Sequence, residues 1–318
     1  MRSKLLHKPI LLVALGGNAL IRKGQEGTIE QQFKNLKVPI RQIAELSDTY
    51  RIIITHGNGP QVGNLLLQQE SCSEVPRLPL EILVAQTEGQ IGYMIESTLD
   101  EAFMAKGVLY RPLVSLITYV AVDRKDPAFK VPTKPIGPVF PEEIVKALPY
   151  PVMKTAKGYR RVVASPNPIT IIEKREIKQL IEMDFIVICC GGGGIPVIRR
   201  GRSFNGVDAV IDKDMASAKL AEEIGVDIFL IATDEKGVAL NYGTNQQRFL
   251  DKITCDEAKQ YQLDGHFPPG TMGPKVSAAV QFLRQTGKRA VIASIRHIEA
   301  AVAGKAGTEF SVCNFQRK

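Results

Sequence analysis

Apolar residues along this chain keep two alternating rhythms. Ile10–Leu15 is an unbroken apolar run, the pattern of a strand covered on both faces. After it, Ile29, Phe33, Leu36, Ile40 and Ile43 recur at helical spacing. Pro39 falls inside that helix and predicts a kink or break, because proline lacks an N–H and its ring crowds the carbonyl four residues back. Ile52–Ile54 predicts a second strand. Leu80–Phe103 predicts a long helix that Gly89 or Gly92 would interrupt, and Leu113–Ile117 a third strand. Further on, Ile171–Met183, Met215–Ile224 and Val276–Leu283 read as helices. Phe185–Cys190, Ile228–Ala232 and Ala290–Ala293 read as strands. This alternation predicts an α/β fold on a mostly parallel sheet with helices on both faces. Ligands of such sheets bind at the carboxyl ends of the strands.

The rhythm fails once. Nine of the 19 prolines fall between Pro127 and Pro168, and Val120–Pro168 carries nine Lys/Arg against four Asp/Glu. Such a stretch is too proline-rich for the main sheet. It reads as an insertion at about residues 120–168 within one domain spanning 1–318, either solvated or folded as a protruding lid over an anionic substrate. That insertion holds most of the net charge of +8. Its few aromatic residues argue against nucleic acid as the partner.

Composition narrows the class. With 318 residues, 44% hydrophobic and 23% charged, the chain suits a soluble globular protein and excludes disordered, collagen-like and coiled-coil classes. No apolar run approaches the length of a membrane span. The basic start, Met1–Lys8, precedes an apolar run that ends at Gly16-Gly17-Asn18, which fits a strand entering a turn better than a secretory signal. Cys72, Cys189, Cys190, Cys255 and Cys313 form no CxxC pair, and their odd number suggests free thiols in a reducing cytoplasm. His7, His56, His266 and His297 are too scattered to suggest a metal site.

Three glycine-rich turns sit where strands end: Leu15–Ala19, Thr55–Gly63 and the run Gly191–Gly194. Glycine lets backbone N–H groups approach an anion, and a helix starting just beyond adds its positive end. One such turn is commonplace; three on successive strand ends point to phosphate. GxxxxGK[ST] is absent, since Gly287-Lys288 continues with Arg289 and Gly304-Lys305 with Ala306. GxGxxG, GxSxG and HExxH are absent too. Two lysines stand at helix starts instead, in Ile211-Asp212-Lys213-Asp214 and Gly270-Thr271-Met272-Gly273-Pro274-Lys275. A cation is unfavourable there unless an anion is also bound. The bland alternative is helix capping by Asp212 or Asp214 with a solvated lysine beside it. Phosphoryl transfer needs spread positive charge and little covalent help, which lysines, N–H groups and Mg²⁺ provide. Asp214 is suited to orient the lysines or hold the metal. Thr233–Gly237 and Tyr242 are suited to frame a base.

These stretches together resemble carbamate kinases of the amino-acid kinase superfamily. The resemblance rests on ALGGNAL (14–20), THGNGPQVG (55–63), QTEGQIGYMI (86–95), PTKPIGP (132–138), GYRRVVASPNP (158–168), GGGGIPV (191–197), VDAVIDKDMASAKLAEE (207–223), TDEKGVALNYGT (233–244) and GHFPPGTMGPKVSAA (265–279). It implies an open αβα sandwich with a small protruding subdomain, usually a cytoplasmic homodimer. The implied reaction joins carbamoyl phosphate and MgADP to give ATP and carbamate. Lys134, Lys213 and Lys275 would contact the phosphoryl group or nucleotide phosphates, with Asp214 organising them. Gly16, Gly17, Asn18, Gly57, Asn58, Gly192 and Gly193 would bind the carbamate or phosphoryl end. Thr233, Asp234, Tyr242 and Met272 would surround the nucleotide, and Mg²⁺ would be held mainly by its phosphates. A kinase for another small acid, or a nucleotide-binding regulator without turnover, would share most of these features. Departures from the family pattern are Pro39, Cys189-Cys190 and the segment Met153–Tyr159.

Overall fold

A computed structural model describes residues 8–155, 158–268 and 270–311; His7 and Cys313 lie outside them, as do residues 156–157 of the divergent segment. In the first half, β1 (Ile10–Leu15), α1 (Ile29–Leu46), β2 (Arg51–His56), α2 (Gly59–Ser71), α3 (Leu80–Ala105) and β3 (Leu113–Ser115) follow one another. Next come β4 (Tyr119–Val122), β5 (Lys134–Phe140), β6 (Val152–Thr155), β7 (Gly158–Val163) and β8 (Pro168–Ile171). The second half holds α4 (Lys174–Glu182), β9 (Ile186–Ile188), β10 (Ile195–Arg200), β11 (Ser203–Gly206), α5 (Lys213–Ile224) and β12 (Ile228–Thr233). It continues through β13 (Ala239–Leu240), β14 (Arg248–Phe249), β15 (Lys252–Thr254), α6 (Cys255–Leu263), α7 (Met272–Thr286), β16 (Arg289–Ser294), α8 (Ile298–Val302) and β17 (Thr308–Ser311).

Eight strands make the central sheet, ordered β15-β17-β16-β12-β1-β2-β9-β3. Every neighbouring pair is parallel except β16 with β17. Strand β1 lies at the centre, with Leu11–Leu15 paired to Ile228–Ala232 on one side and Ile10–Leu15 to Arg51–His56 on the other. Its side chains alternate between two cores. Leu12 and Ala14 join Leu220 of α5, Phe282 of α7 and Ile177 of α4. Leu11, Val13 and Leu15 join Ile40 of α1, Ile95 of α3 and Ile298 of α8. Helices therefore cover both faces, the αβα sandwich that continuous apolar strands require.

Proline and glycine did less to the helices than their local preferences predict. α1 runs unbroken through Pro39, with Leu36, Ile40 and Ile43 of both halves buried against the sheet. Its start is fixed by a capping box, Thr28 with Gln31. α3 is continuous for 26 residues through Gly89 and Gly92. Gly92 permits close packing, since a Cβ there would lie 2.6 Å from the Ser115 Oγ. Tertiary burial outweighed propensity in both helices. Elsewhere, Ile171 ends β8, paired to Val120, so α4 begins at Lys174 rather than at Ile171. β3 stops at Ser115, two residues short of Ile117. Helices α2 and α6 and the β10–β11 hairpin carried too few periodic apolar positions to be read from sequence.

Residues 120–168 contribute to two small sheets. Their ends, β4 and β8, pair with each other, and β4 also pairs with β10 in a four-stranded sheet ordered β11-β10-β4-β8. Between them, β5-β7-β6 form a separate antiparallel sheet. Val62 and Leu66 of α2 pack with Ile136 and Val163 of this sheet in a third, smaller core.

The sandwich turns on contacts such as that between Phe229 and Phe282, both fully buried with ring centroids 5.4 Å apart. Replacing Phe229 by Ala should lower stability by about 3–5 kcal/mol, the usual cost of deleting a buried phenyl ring. Chemical denaturation would show it as an earlier midpoint.

Candidate active site

A cavity of about 530 Å³ opens at the carboxyl ends of β1 and β2. Gly17 and Gly57 line it from the loops after these strands, and Gly192 from the loop after β9. The starts of α2, α5 and α7 also face it, through Gly59, Lys213 and Pro274-Lys275. Three helix N-termini thus direct partial positive charge at one space. From the opposite side β5 and β7 contribute Lys134 and Arg160.

The glycine run owes its composition to what presses on it. Gly192 and Gly193 have φ of 67° and 102°. A Cβ on Gly192 would lie 2.0 Å from the Asn58 side chain, and one on Gly193 2.3 Å from the Ile211 carbonyl oxygen. The loop after β9 is therefore wedged between the loop after β2 and the segment leading into α5. Asn58 is itself buried and donates from Nδ2 to Thr87 Oγ1 at 2.8 Å.

Lys213 and Lys275 converge on one carboxylate. Asp214 Oδ1 is 2.5 Å from Lys213 Nζ, and Oδ2 is 2.8 Å from Lys275 Nζ. Burial opposes ionisation of Asp214, but the two lysine charges outweigh it and hold its carboxyl well below the usual range. Burial also pulls Lys213 down, against the attraction of Asp214. Lys275 is raised: burial disfavours its charge, yet Asp214, Asp212 and Asp234 together prevail. Asp212 caps α5, its Oδ1 accepting the N–H of Asp214 at 3.0 Å, and its Oδ2 meets Lys134 Nζ at 2.8 Å. Capping by Asp212 and lysine clustering thus coexist, although the sequence set them against each other.

The other expected site residues occupy two regions. Gly16 is buried where β1 ends, its N–H donating to Ala232, and Asn18 lies in the short helical turn Gly17–Ala19. Gly193 packs behind the cavity wall on Ile211. Thr233 ends β12, Asp234 follows it, and Met272 opens α7. Tyr242 is exposed, and its hydroxyl donates to Glu235. These seven do not line the cavity; Thr233, Asp234 and Met272 lie at the strand and helix ends on the Lys275 side.

Sequence reading passed over four residues. Arg160 donates from Nε and Nη2 to the Gly137 carbonyl, at 3.1 and 2.9 Å, and lines the cavity. Asp212 had appeared only as a cap. His56 and Glu88 are both buried and both touch Gly191, where an added Cβ would meet each of them within 3 Å. Glu88 Oε2 accepts the Thr118 N–H at 3.1 Å while its Oε1 has no partner. Burial holds its carboxyl well above the ordinary range, against the N–H groups of Thr118 and Gly191. Burial pushes the His56 imidazole down to about 4 despite the Gly57 carbonyl, and the Lys213 charge adds to the push. The signal for both lay in THGNG and QTEGQ, where only the glycines and Asn58 had drawn attention.

A cradle of backbone N–H groups, helix N-termini and clustered lysines is the chemistry of a phosphotransferase site. The comparisons with known proteins agree. Residues 9–294 match the model of the amino acid kinase family. Carbamate kinase of Thermococcus kodakarensis is 47% identical over 94% of this chain and 98% of its own length. A carbamate kinase-like protein of Escherichia coli is 42% identical over 94% of this chain and 97% of its own. The structure of carbamate kinase from Giardia lamblia bound to AMP-PNP superposes with a TM-score of 0.90 at 37% identity, covering 96% of this chain and 99% of that one. The chain belongs to the amino acid kinase family, within its carbamate kinase group.

His56 gives the site a testable acid dependence. Its ordinary value is 6.5 and its folded value about 4. Between these pH values the unfolded chain binds the extra proton, so His56 makes stability fall as pH drops from 6.5 towards 4, by about 3 kcal/mol in all. Glu88 is raised and acts with the opposite sign above its ordinary value of 4.5, so the readout is a difference between proteins. Parent protein should lose about 3 kcal/mol more than His56→Gln between pH 7 and pH 4 in denaturant titrations.

Proposed function

We propose that the protein catalyses reversible phosphoryl transfer between carbamoyl phosphate and MgADP, giving ATP and carbamate. The observation that carries this reading is the meeting of Lys134, Lys213 and Lys275 at one glycine-lined cavity. In the direction of ATP synthesis, a β-phosphate oxygen of ADP attacks phosphorus and the bond from phosphorus to the carbamate oxygen breaks. Both the attacking and leaving oxygens are anionic, so the transfer needs no proton shuttle. Charge on the moving phosphoryl oxygens is what the site must stabilise. Carbamate then breaks down to ammonia and carbon dioxide.

In this reading Lys213 and Lys275 bind the nucleotide-side and transferring phosphates, and Asp214 fixes the distance between them. Lys134 approaches from β5, and β5–β7 act as a lid that closes on the bound anion. Gly17, Gly57, Asn58 and Gly192, which line the cavity, hold the carbamate or phosphoryl end, and Gly16, Asn18 and Gly193 belong to the same turns without lining it. Thr233, Asp234, Tyr242 and Met272 surround the nucleotide. No cluster of three or more His, Cys, Asp or Glu suited to a metal occurs among the described residues. Asp212 and Asp214 are already engaged by lysines. Mg²⁺ would therefore enter on the nucleotide phosphates and neutralise part of their charge. We read the enzyme as a cytoplasmic homodimer; exposed Tyr93 and Met104 on the outer side of α3 suit a second copy.

The decisive assay mixes pure protein with carbamoyl phosphate and ADP and measures ATP. ATP should form, and only with Mg²⁺ present. Folded protein that makes none, yet phosphorylates another small acid, would move it to a different acceptor within the same family. The Escherichia coli relative, described only as carbamate kinase-like, makes that arm worth running. Nucleotide binding without any turnover would leave a regulator.

Lys213→Ala and Lys275→Ala should each lower kcat by about 100-fold or more, the scale seen when a preorganised charge is removed from a developing anion. Melting temperatures taken alongside separate this loss from unfolding, because each change leaves Asp214 buried with one partner fewer. Near-parental kcat in both variants would reduce the lysines to incidental helix-start residues.

A further inference from the structure

Asp214 accounts for two of the three lysines. The third is held by the carboxylate on the other side of Lys213. Asp212 turns its two oxygens in different directions. Oδ1 accepts the N–H groups of Asp214 and Met215, at 3.0 and 3.4 Å, and so starts α5. Oδ2 lies 2.8 Å from Lys134 Nζ, which arrives on a separate sheet as the first residue of β5. The side chains are only 30% and 19% exposed. Because the helix start fixes Oδ1, the carboxylate cannot swing freely, and Oδ2 stays aimed at Lys134.

The segment carrying Asp212 is itself clamped. Arg161 of β7 donates to both Asp208 oxygens, at 2.9 and 3.1 Å. The Val210 N–H donates to the Ala164 carbonyl at 2.9 Å. On its other side, Gly193 closes against the Ile211 carbonyl. Residues 208–212 thus lie between the three-stranded sheet and the glycine run, joined to both.

We propose that Asp212 is a positioning residue that holds the Lys134 ammonium at the cavity before the anion arrives. It does for the lysine of β5 what Asp214 does for Lys213 and Lys275. A lysine has four flexible carbon–carbon torsions, and ordering them only at the moment of transfer would raise the barrier. A carboxylate already locked by a helix start removes that cost. The sequence Asp212-Lys213-Asp214 is then one device: alternate carboxylates flank a lysine and collect lysines from two separate parts of the fold. This rests on the phosphotransferase reading for its catalytic consequence, but not for the tether itself.

The test uses Asp212→Asn and Asp212→Ser in the full chain, with Lys134→Ala and the double variant Asp212→Asn/Lys134→Ala. Asn and Ser both cap helices well, so α5 keeps its start while the charge facing Lys134 is lost. Hydrogen exchange of the ligand-free protein should rise about tenfold in Lys134–Phe140 and stay unchanged in Lys213–Ile224. For both single variants kcat/KM for carbamoyl phosphate should fall roughly 10- to 100-fold, the cost of a slightly misplaced group. Binding of ADP, which lacks the transferred phosphoryl group, should be unchanged. The double variant should be no slower than Lys134→Ala alone. Parental exchange and kcat/KM in both single variants would make Asp212 a cap and nothing more. Losses that multiply in the double variant would show it acting apart from Lys134. Should the protein fail to turn over carbamoyl phosphate at all, faster exchange in Lys134–Phe140 would still uphold the tether, and the failure would belong to the functional reading.

Discussion

Three ammonium groups share one small cavity, and most of the local structure follows from making that tolerable. Like charges this close repel, and burial adds a desolvation cost to each. Asp212 and Asp214 offset both effects, but two carboxylates leave three lysines in excess by one charge. The three helix N-termini at the same rim increase the positive potential further. A multiply charged phosphate is the partner that completes this balance. The protein's own side chains thus leave a positive excess at the cavity, which lets binding and charge stabilisation arise from the same contacts.

The sheet makes the convergence geometrically possible. In a parallel sheet all strands end on one edge, so the loops after β1, β2 and β9 meet without long excursions. The helices that start beyond them then point their N-termini at the same place. Lys213 and Lys275 share a carboxylate because α5 and α7 pack side by side on one face of the sheet, joined through Leu220, Val276 and Phe282. Lys134 has no place in that arrangement and comes from a separate three-stranded sheet. That sheet is held to the sandwich by the small core around Val62, Leu66 and Ile136 and by the ion pairs of Arg161 and Lys134.

The fold was legible where a strand is buried on both faces. Ile10–Leu15 and Ile228–Ala232 announce themselves because every residue must be apolar, and the glycine turns after β1, β2 and β9 follow from the phosphate-binding geometry. Legibility declined where local preference and tertiary packing disagree. Pro39 and Gly92 sit in continuous helices since burial of their neighbours, and the close approach of Ser115, decide the backbone there. In the site, lysines at helix starts were conspicuous because they violate the dipole rule. Asp212 hid behind its capping role, which is real, and Arg160 inside a basic run, where one arginine looks like the next. His56 and Glu88 stayed hidden because a buried titratable side chain leaves no periodic trace; only the fold shows that both close on Gly191.

Those two residues show how a turn of four glycines can be made rigid. Such a run is the least constrained backbone available, and folding it costs more entropy than any other sequence of its length. Preorganisation therefore has to come from its surroundings. Asn58 and Ile211 press on Gly192 and Gly193 from two sides, while His56 and Glu88 press on Gly191. The Cys190 N–H donates to the Thr118 hydroxyl, and the Thr118 N–H donates to Glu88. Burial raises the Glu88 carboxyl and so disfavours a negative charge beneath the cavity, while its Oε2 still accepts the Thr118 N–H. A neutral His56 likewise avoids a further positive charge beside Lys213. Burial thus does two things at this turn: it confines a flexible backbone, and it disfavours charge on the groups that confine it, which the balance among the lysines needs.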